Sequence, residues 1–569
     1  MTKTSARSPL LPIAPMPEDF ARVYREAGYY QPETFPEFIE NIFKQYPDNI
    51  AAHGVSTREN YLSPSSDTKS WTYRQLENEA HTAAQHIRSL GVCPGDRVIL
   101  QLPNTLEFLS YMLGAFIAGT LPIFALPKHR AKDLAHFART TDAALHIFAQ
   151  GAENTDYWAL HADYSQQLQE EGLEPPLALD LTQAPVADPE QVPHYDRPVA
   201  DRGARILSEN TAFFQLSGGT TGLSKLIPRT HADYLYSVRA STEICEVTEE
   251  TISLVVLPAA HNFTMSSPGI LGSLYRGATL VFAHDPSPQT SFALIQRHQV
   301  TQVSLVPPLV QSWLLLAERR SLSFPSLRVI QVGGAKLSPT LARKITPQLG
   351  ATLQQVAGMA EGLVNYTRLS DDHETVCSTQ GRPISPHDEI RVVDGQGQAV
   401  GTGQVGELLT RGPYTIRQYY GADAQRGASF TEDGFYRTGD LVKLDSQGNL
   451  EMVGRIKDQI NRAGEKISID ELEDAALQLA DIKDAIAIGI PDERLGEKVG
   501  LALTVQETVQ YPTLQSVREQ LRELGLSEYK LPDQVFVLND LPLTNVGKIS
   551  RKNLRSQLAQ ELLGSTHSK

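Results

Sequence analysis

The sequence predicts an α/β protein: a large N-terminal domain of parallel-rich sheets under helical cover, then a small α+β unit. Three observations carry this. From Trp71 to about Val332, short apolar strands alternate with helical periodicity, the pattern of parallel sheet covered by helices. After about His387 the texture changes to short strands and turns. After Arg455 helix and strand patterns recur in a shorter stretch.

In chain order, residues 1–30 read as a loose N-terminal arm. "WTYRQLENEAHTAAQHIRSLG" then opens with Thr72 and Gln75, the spacing of a capping box. Leu76, Ala80, Ala83, Ala84, Ile87 and Leu90 follow at helical spacing, and Gly91 can end the helix. "RVILQL" reads as a strand, "LEFLSYMLGAFIAG" as a helix and "LPIFAL" as a strand; a helix begins near Asp133, and "ALHIFA" is again a strand. The polar, proline-rich segment from about Asp156 to Arg205 is expected as a surface excursion. "TISLVVLP", "TLVFA", "QVSLVP" and "LRVIQV" resume the strands, and D-G-Q-G and D-S-Q-G mark later turns. The last unit holds helix "DELEDAALQLA", strands "AIAIGI" and "LALTV", and helix "LQSVREQLREL".

Composition excludes several classes. The net charge of −15 comes without a long basic run, so nucleic acid is not an expected partner. Cys93, Cys245 and Cys377 lie far apart with no CxxC or zinc spacing, which fits a reducing compartment. The N-terminal stretch lacks the unbroken apolar core of a signal peptide. The most apolar segment, Tyr111 to Pro127, is too short and too broken to span a bilayer. No membrane partner is expected, and a cytoplasmic location is.

"SGGTTGLSK" (Ser217 to Lys225) packs glycines, hydroxyls and one lysine into a loop whose backbone N–H groups can wrap phosphate. It fails the Walker A template, because Leu226 follows Lys225. Four strings accompany it in order: "AGMAEG" with Glu361, "YRTGDL" with Asp440 in an expected turn, "GRIKDQINRAGEKIS", and "LPLTNVGKISR" with Lys548. Alone, each has an ordinary reading as a turn, a cap or a solvated lysine.

Together the five strings resemble the core motifs of the adenylate-forming superfamily, which includes acyl-CoA synthetases, luciferases and the adenylation domains of peptide synthetases. The resemblance implies a large domain over residues 31–456 with a small β-barrel-like part, and a mobile lid over 457–569 hinged near Lys457. It implies attack of a carboxylate on the α-phosphate of ATP, with Mg²⁺ held by Glu361. Ser217, Gly218, Gly219, Thr220, Thr221 and Gly222 would hold the leaving phosphates, with Lys225 as a mobile counter-charge. Gly334, Ala335, Val356, Gly358, Met359 and Ala360 would also touch ATP, Asp440 its ribose, and Arg455 the ribose and phosphate. His261, Arg455 and Lys548 are the implied catalytic residues. Gly464 would stand beside a tunnel for a pantetheine thiol.

Which acid is activated is read from "LPAAHNFTMSSPGILG" (Leu257 to Gly272). Amino-acid-activating domains carry an aspartate in this region; here His261-Asn262 stands without a neighbouring carboxylate. This string, "GGAKLS" and "GMAEGLVNYTRL" resemble the aryl-acid subgroup that loads 2,3-dihydroxybenzoate or salicylate in siderophore assembly. The resemblance implies an aryl pocket of Asn262, Phe263, Ser267, Gly333, Gly334 and Val364. Ser267 and Val364 favour 2,3-dihydroxybenzoate, because a serine can pair with a ring hydroxyl. Ser266 and Ser267 could instead cap a helix starting at Pro268. Ala357 replaces the subgroup's usual aromatic residue and leaves room for another aryl acid, such as salicylate, 3-hydroxypicolinate or a substituted hydroxybenzoate for an antibiotic. The expected acceptor is a phosphopantetheinylated aryl carrier protein on another chain, since no carrier segment follows Lys548. An aryl-CoA synthetase and a non-catalytic nucleotide-binding protein are the other readings.

Overall fold

The helix Tyr73–Ser89 begins as its sequence dictates: the Thr72 side chain accepts from the Gln75 N–H, and Gln75 reaches back to the Thr72 N–H. Its buried stripe packs on the almost wholly buried helix Leu106–Ile117, where Gly114 lets the two backbones approach. A Cβ at Gly114 would stand 2.7 Å from Ala83 Cβ and 2.8 Å from the Ala80 carbonyl. The structure, a computed structural model, describes residues 7–59, 68–183, 206–217, 223–421, 429–456, 459–462, 465–479, 481–492, 494–505 and 511–539, with residues 551, 554 and 558.

Among the described residues the strands form four sheets. One has nine strands. Its parallel core runs, in spatial order, Thr352–Gly358, Val329–Val332, Gln302–Leu305, Ile252–Val255, Thr279–Phe282 and Ile50–Gly54. Lys69–Thr72 closes one edge and Val364–Tyr366 with Arg382–Pro383 the other, all antiparallel. A six-stranded sheet orders Leu177–Asp180, Leu145–Phe148, Arg97–Gln101, Leu121–Phe124, Thr211–Leu216 and, antiparallel, Leu226–Thr230. The short strands after His387 form an antiparallel sheet of Glu389–Val393, Gly406–Arg411, Tyr436–Leu444 and Leu450–Arg455. A fourth sheet, built on the hairpin Ile482–Asp492 and Gly496–Val505, packs its own core against the helices Ile469–Ala476 and Leu514–Glu523.

Two expectations are corrected. The described part of the N-terminal arm is not loose: Glu18–Glu26 is helical, with Ala21, Tyr24 and Tyr30 buried, and Arg7 pairs with Asp142. Its aromatic residues supply the apolar face that holds it down. The region from Asp156 is not all surface excursion either: Tyr157–Glu170 is a helix and Leu177–Asp180 a sheet strand. The helix is masked by polar composition, yet Asp156 caps it and Tyr157, Tyr164 and Leu168 are its buried stripe. Residues 184–205 lie outside the described residues.

Replacing Gly114 by valine overpacks the contact between the two helices, and such insertions cost about 1–3 kcal/mol. The urea unfolding midpoint of Gly114→Val falls accordingly; an unchanged midpoint contradicts the close approach.

Candidate functional site

Two groups of predicted residues come together at the ends of the parallel strands of the nine-stranded sheet. The first surrounds the short helix Asn262–Ser266. His261 is its N-cap: Nδ1 accepts the Phe263 N–H at 3.2 Å, so the ring is neutral with its hydrogen on Nε2. Asn262 Oδ1 accepts from the Tyr234 hydroxyl at 2.8 Å, which fixes the amide and turns Nδ2 to donate. Burial pushes the Tyr234 phenol up to about 12, so it remains a donor near neutral pH. Phe263 packs beside Val356 and Val364 in one apolar cluster. Gly333, at the end of strand Val329–Val332, fits against the Phe263 ring: a Cβ there would meet the Val356 carbonyl at 2.8 Å and Phe263 Cζ at 3.0 Å. Gly334 and Ala335 follow in the bend. Ser267 is buried, and the helix Gly269–Tyr275 starts at Pro268 with no side-chain cap, so capping does not account for the serines.

The second group sits across strand Thr352–Gly358. The turn after it carries Met359, Ala360 and Glu361, with the Met359 N–H bonded to the Leu363 carbonyl. Glu361 is 8% exposed and accepts from the Tyr419 hydroxyl at 2.8 Å; Tyr419 also meets the Tyr436 hydroxyl at 2.9 Å. Lys225 Nζ lies 4.3 Å from the centre of the Tyr419 ring, so the lysine and the carboxylate share one phenol. Burial and the Glu361 charge raise the Tyr419 phenol. The ends of the glycine-rich loop are stapled: the Ser217 N–H donates to the Lys225 carbonyl at 3.0 Å, and the Lys225 N–H to Ser217 Oγ at 2.9 Å.

Asp440 is corrected from a turn to the strand Tyr436–Leu444, opposite Arg455. Its Oδ1 accepts from Arg455 Nε at 2.8 Å; the aspartate is buried and the arginine is 57% exposed. Gly218, Gly219, Thr220, Thr221, Gly222, Lys457, Gly464 and Lys548 lie outside the described residues.

Sequence reasoning missed Tyr234, Tyr419, Tyr436 and Arg229. Arg229 is buried, pairs with Asp233, and donates to the carbonyls of Ala360 at 2.6 Å and Tyr414 at 3.0 Å. A charged residue in the strand leaving the glycine-rich loop was the available signal. A separate cavity of about 920 Å³ lies under the N-terminal segment, lined by Leu10, Met16, Val92, Phe116 and Arg417.

Known proteins resemble this chain along nearly its whole length. Residues 39–420 match the AMP-binding enzyme family, and residues 471–548 match the AMP-binding enzyme C-terminal domain. The chain is 42% identical over 554 residues to the 2,3-dihydroxybenzoate-AMP ligase of Bacillus subtilis, covering 97% of this chain and 98% of that one. It is 40% identical over 555 residues to the salicyl-AMP ligase / salicyl-S-ArCP synthetase of Mycobacterium tuberculosis, covering 96% and 94%. The apo structure of Mycobacterium smegmatis MbtA superposes with a TM-score of 0.69 at 38% identity, over 96% of this chain and 98% of that one. The chain therefore belongs to the AMP-binding enzymes of the adenylate-forming superfamily, and it is an adenylating ligase.

Proposed function

We propose that this enzyme activates an aryl carboxylic acid, 2,3-dihydroxybenzoate in preference to salicylate, for siderophore assembly in the cytoplasm. The observation that carries the reading is Asn262, an uncharged amide fixed by Tyr234 in a buried setting with Phe263, Val356 and Val364. An amide donor with no carboxylate in Leu257 to Gly272 suits a ring hydroxyl and a carboxylate better than an ammonium group. The 2,3-dihydroxybenzoate and salicylate ligases that this chain resembles support the same class.

In the first step a carboxylate oxygen attacks the α-phosphorus of ATP, the bond to the bridging oxygen of the β-phosphate breaks, and pyrophosphate leaves. The chain's task is mainly placement and charge stabilisation. Asn262 and the neutral His261 orient the acid, Val364 and Phe263 pack on the ring, and Ser267 faces its 3-position. Gly333 and Gly334 border ring and nucleotide; Ala335, Val356, Gly358, Met359 and Ala360 border the adenosine. Asp440, held by Arg455, accepts the ribose hydroxyls. The glycine-rich loop with Lys225 draws off the β,γ-phosphates, and Lys548 reaches the carboxylate and α-phosphate. Glu361, a buried hard-oxygen ligand, would hold Mg²⁺, which when bound neutralises charge on the phosphate oxygens.

In the second step a phosphopantetheine thiol of an aryl carrier protein on another chain attacks the acyl carbon, and AMP leaves as the thiol loses its proton. The small domain, 457–569, turns about Lys457 between the steps, exchanging Lys548 for the loop with Gly464.

Three outcomes test this. ATP–pyrophosphate exchange across 2,3-dihydroxybenzoate, salicylate, benzoate, 3-hydroxypicolinate and amino acids is strongest with 2,3-dihydroxybenzoate; preference for an amino acid overturns the substrate class. Asp440→Asn raises the KM for ATP by roughly ten- to a hundredfold, the worth of a hydrogen bond to a charged group, and leaves the KM for the acid in place. Lys548→Ala slows exchange about a hundredfold or more, while transfer from synthetic aryl adenylate to the carrier thiol persists. Equal loss in both half-reactions contradicts the swing, and faster transfer to free coenzyme A than to a carrier favours the aryl-CoA synthetase.

A further inference from the structure

Val364 and Tyr366 stand two residues apart on strand Val364–Tyr366, so their side chains project to the same side of the sheet edge. Tyr366 joins the apolar cluster of Phe263, Val356 and Val364 and is fully buried. Its hydroxyl has no hydrogen-bond partner among the described residues, and neither has Ser241 Oγ, which is also fully buried. The polar groups facing the phenol are Ser241, Ser267 and Cys245.

Helix His231–Ile244 explains how they meet. Tyr234 and Ser241 are seven residues apart, two turns along one helix face, and Cys245 caps the end. The near end of that face fixes Asn262 through Tyr234, and Ser241 towards its far end neighbours Tyr366, as Ser267 does. Cys245 is already engaged, its Sγ accepting from Gln331 Nε2 at 3.2 Å. The two hydroxyls are therefore buried as close neighbours without a well-formed hydrogen bond, and a polar group of a ligand offers each a better partner.

We infer that Tyr366, assisted by Ser241, is a further specificity-determining residue, whose hydroxyl bonds the ring substituent that Ser267 faces. The inference rests on the aryl-acid reading above and adds the chemistry of one ring position. A neutral hydroxyl fits, because it both donates and accepts and so can satisfy two protein hydroxyls. A bare ring C–H leaves both unpaired. A charged substituent does not fit among Phe263, Val356 and Val364.

The test uses the full-length enzyme in ATP–pyrophosphate exchange, with kcat/KM measured for 2,3-dihydroxybenzoate and for salicylate. The ratio of the two falls about tenfold in Tyr366→Phe, the worth of one hydrogen bond, while the KM for ATP stays put. Ser241→Ala lowers the ratio in the same direction. The melting temperature of Tyr366→Phe is unchanged or higher, since an unsatisfied buried hydroxyl has been removed. A parallel fall with both acids, or an unchanged ratio in both variants, overturns the inference. Should Tyr366→Phe not fold, the Ser241→Ala ratio decides alone. Wild-type exchange with neither acid defeats the aryl-acid reading and this inference with it, whereas wild-type activity with unaltered variant ratios defeats only this one.

Discussion

The Arg229 guanidinium is the contact on which the rest of the site depends. It leaves the strand that follows the glycine-rich loop, enters the interior, and is matched by Asp233 one turn into the next helix. Its remaining hydrogens go to the carbonyls of Ala360 and Tyr414. A buried charge must be paired, and removing one partner of such a pair costs about 3–5 kcal/mol. The three segments it joins therefore have little freedom to separate. One begins beside Lys225, one carries Glu361, and one is the turn at Tyr414. Gly362 belongs to the same constraint: at φ +132° it passes so close to Tyr414 and Thr415 that a Cβ would lie 2.4 Å from backbone atoms.

Tyr414 passes the constraint on to the first group. Its carbonyl is held by Arg229, its hydroxyl accepts the Val364 N–H at 3.1 Å, and the same hydroxyl donates to Asp388 at 2.6 Å. Burial lifts the Asp388 carboxyl to about 7, and the Tyr414 hydroxyl works against that shift. The strand bearing Val364 and Tyr366 thus hangs from the turn that the guanidinium clamps. The Glu361 group and the Asn262 group are one rigid frame, which suits a reaction in which two substrates must meet in a fixed geometry.

Local signals were legible in the sequence where local physics decides them. Thr72 and Gln75 fix a helix start within four residues, and the motif strings mark loops by glycine content. Asp440 shows how such a signal misleads: Gly439 has φ +72° and the pairing slips between Leu441 and Val442, so a turn-like string lies within a strand. The contacts that build the frame leave no local trace. Arg229 meets Ala360 across 131 positions and Tyr414 across 185, and Tyr419 meets Glu361 across 58. Nothing in the neighbourhood of a buried arginine or tyrosine names its distant partner, so those residues emerge only from tertiary packing.

The attachment of the C-terminal unit is of a different kind. Its contacts to the larger body include Lys336 Nζ to Asp474 at 2.8 Å and Ser468 Oγ to the Val453 carbonyl at 3.2 Å. The Lys336 and Asp474 side chains keep 20% and 26% of their exposure, and contacts of this sort are worth about 1 kcal/mol each. Within the unit, Arg551 is bound to Glu473 at 2.8 Å, which ties the chain just beyond Lys548 to the helix Ile469–Ala476. Releasing the unit breaks part-buried bonds at its edge that water can replace, whereas disturbing Arg229 strands a charge in the interior. The same difference in cost keeps the frame around Glu361 and Asn262 rigid and makes the attachment of the C-terminal unit the weaker of the two.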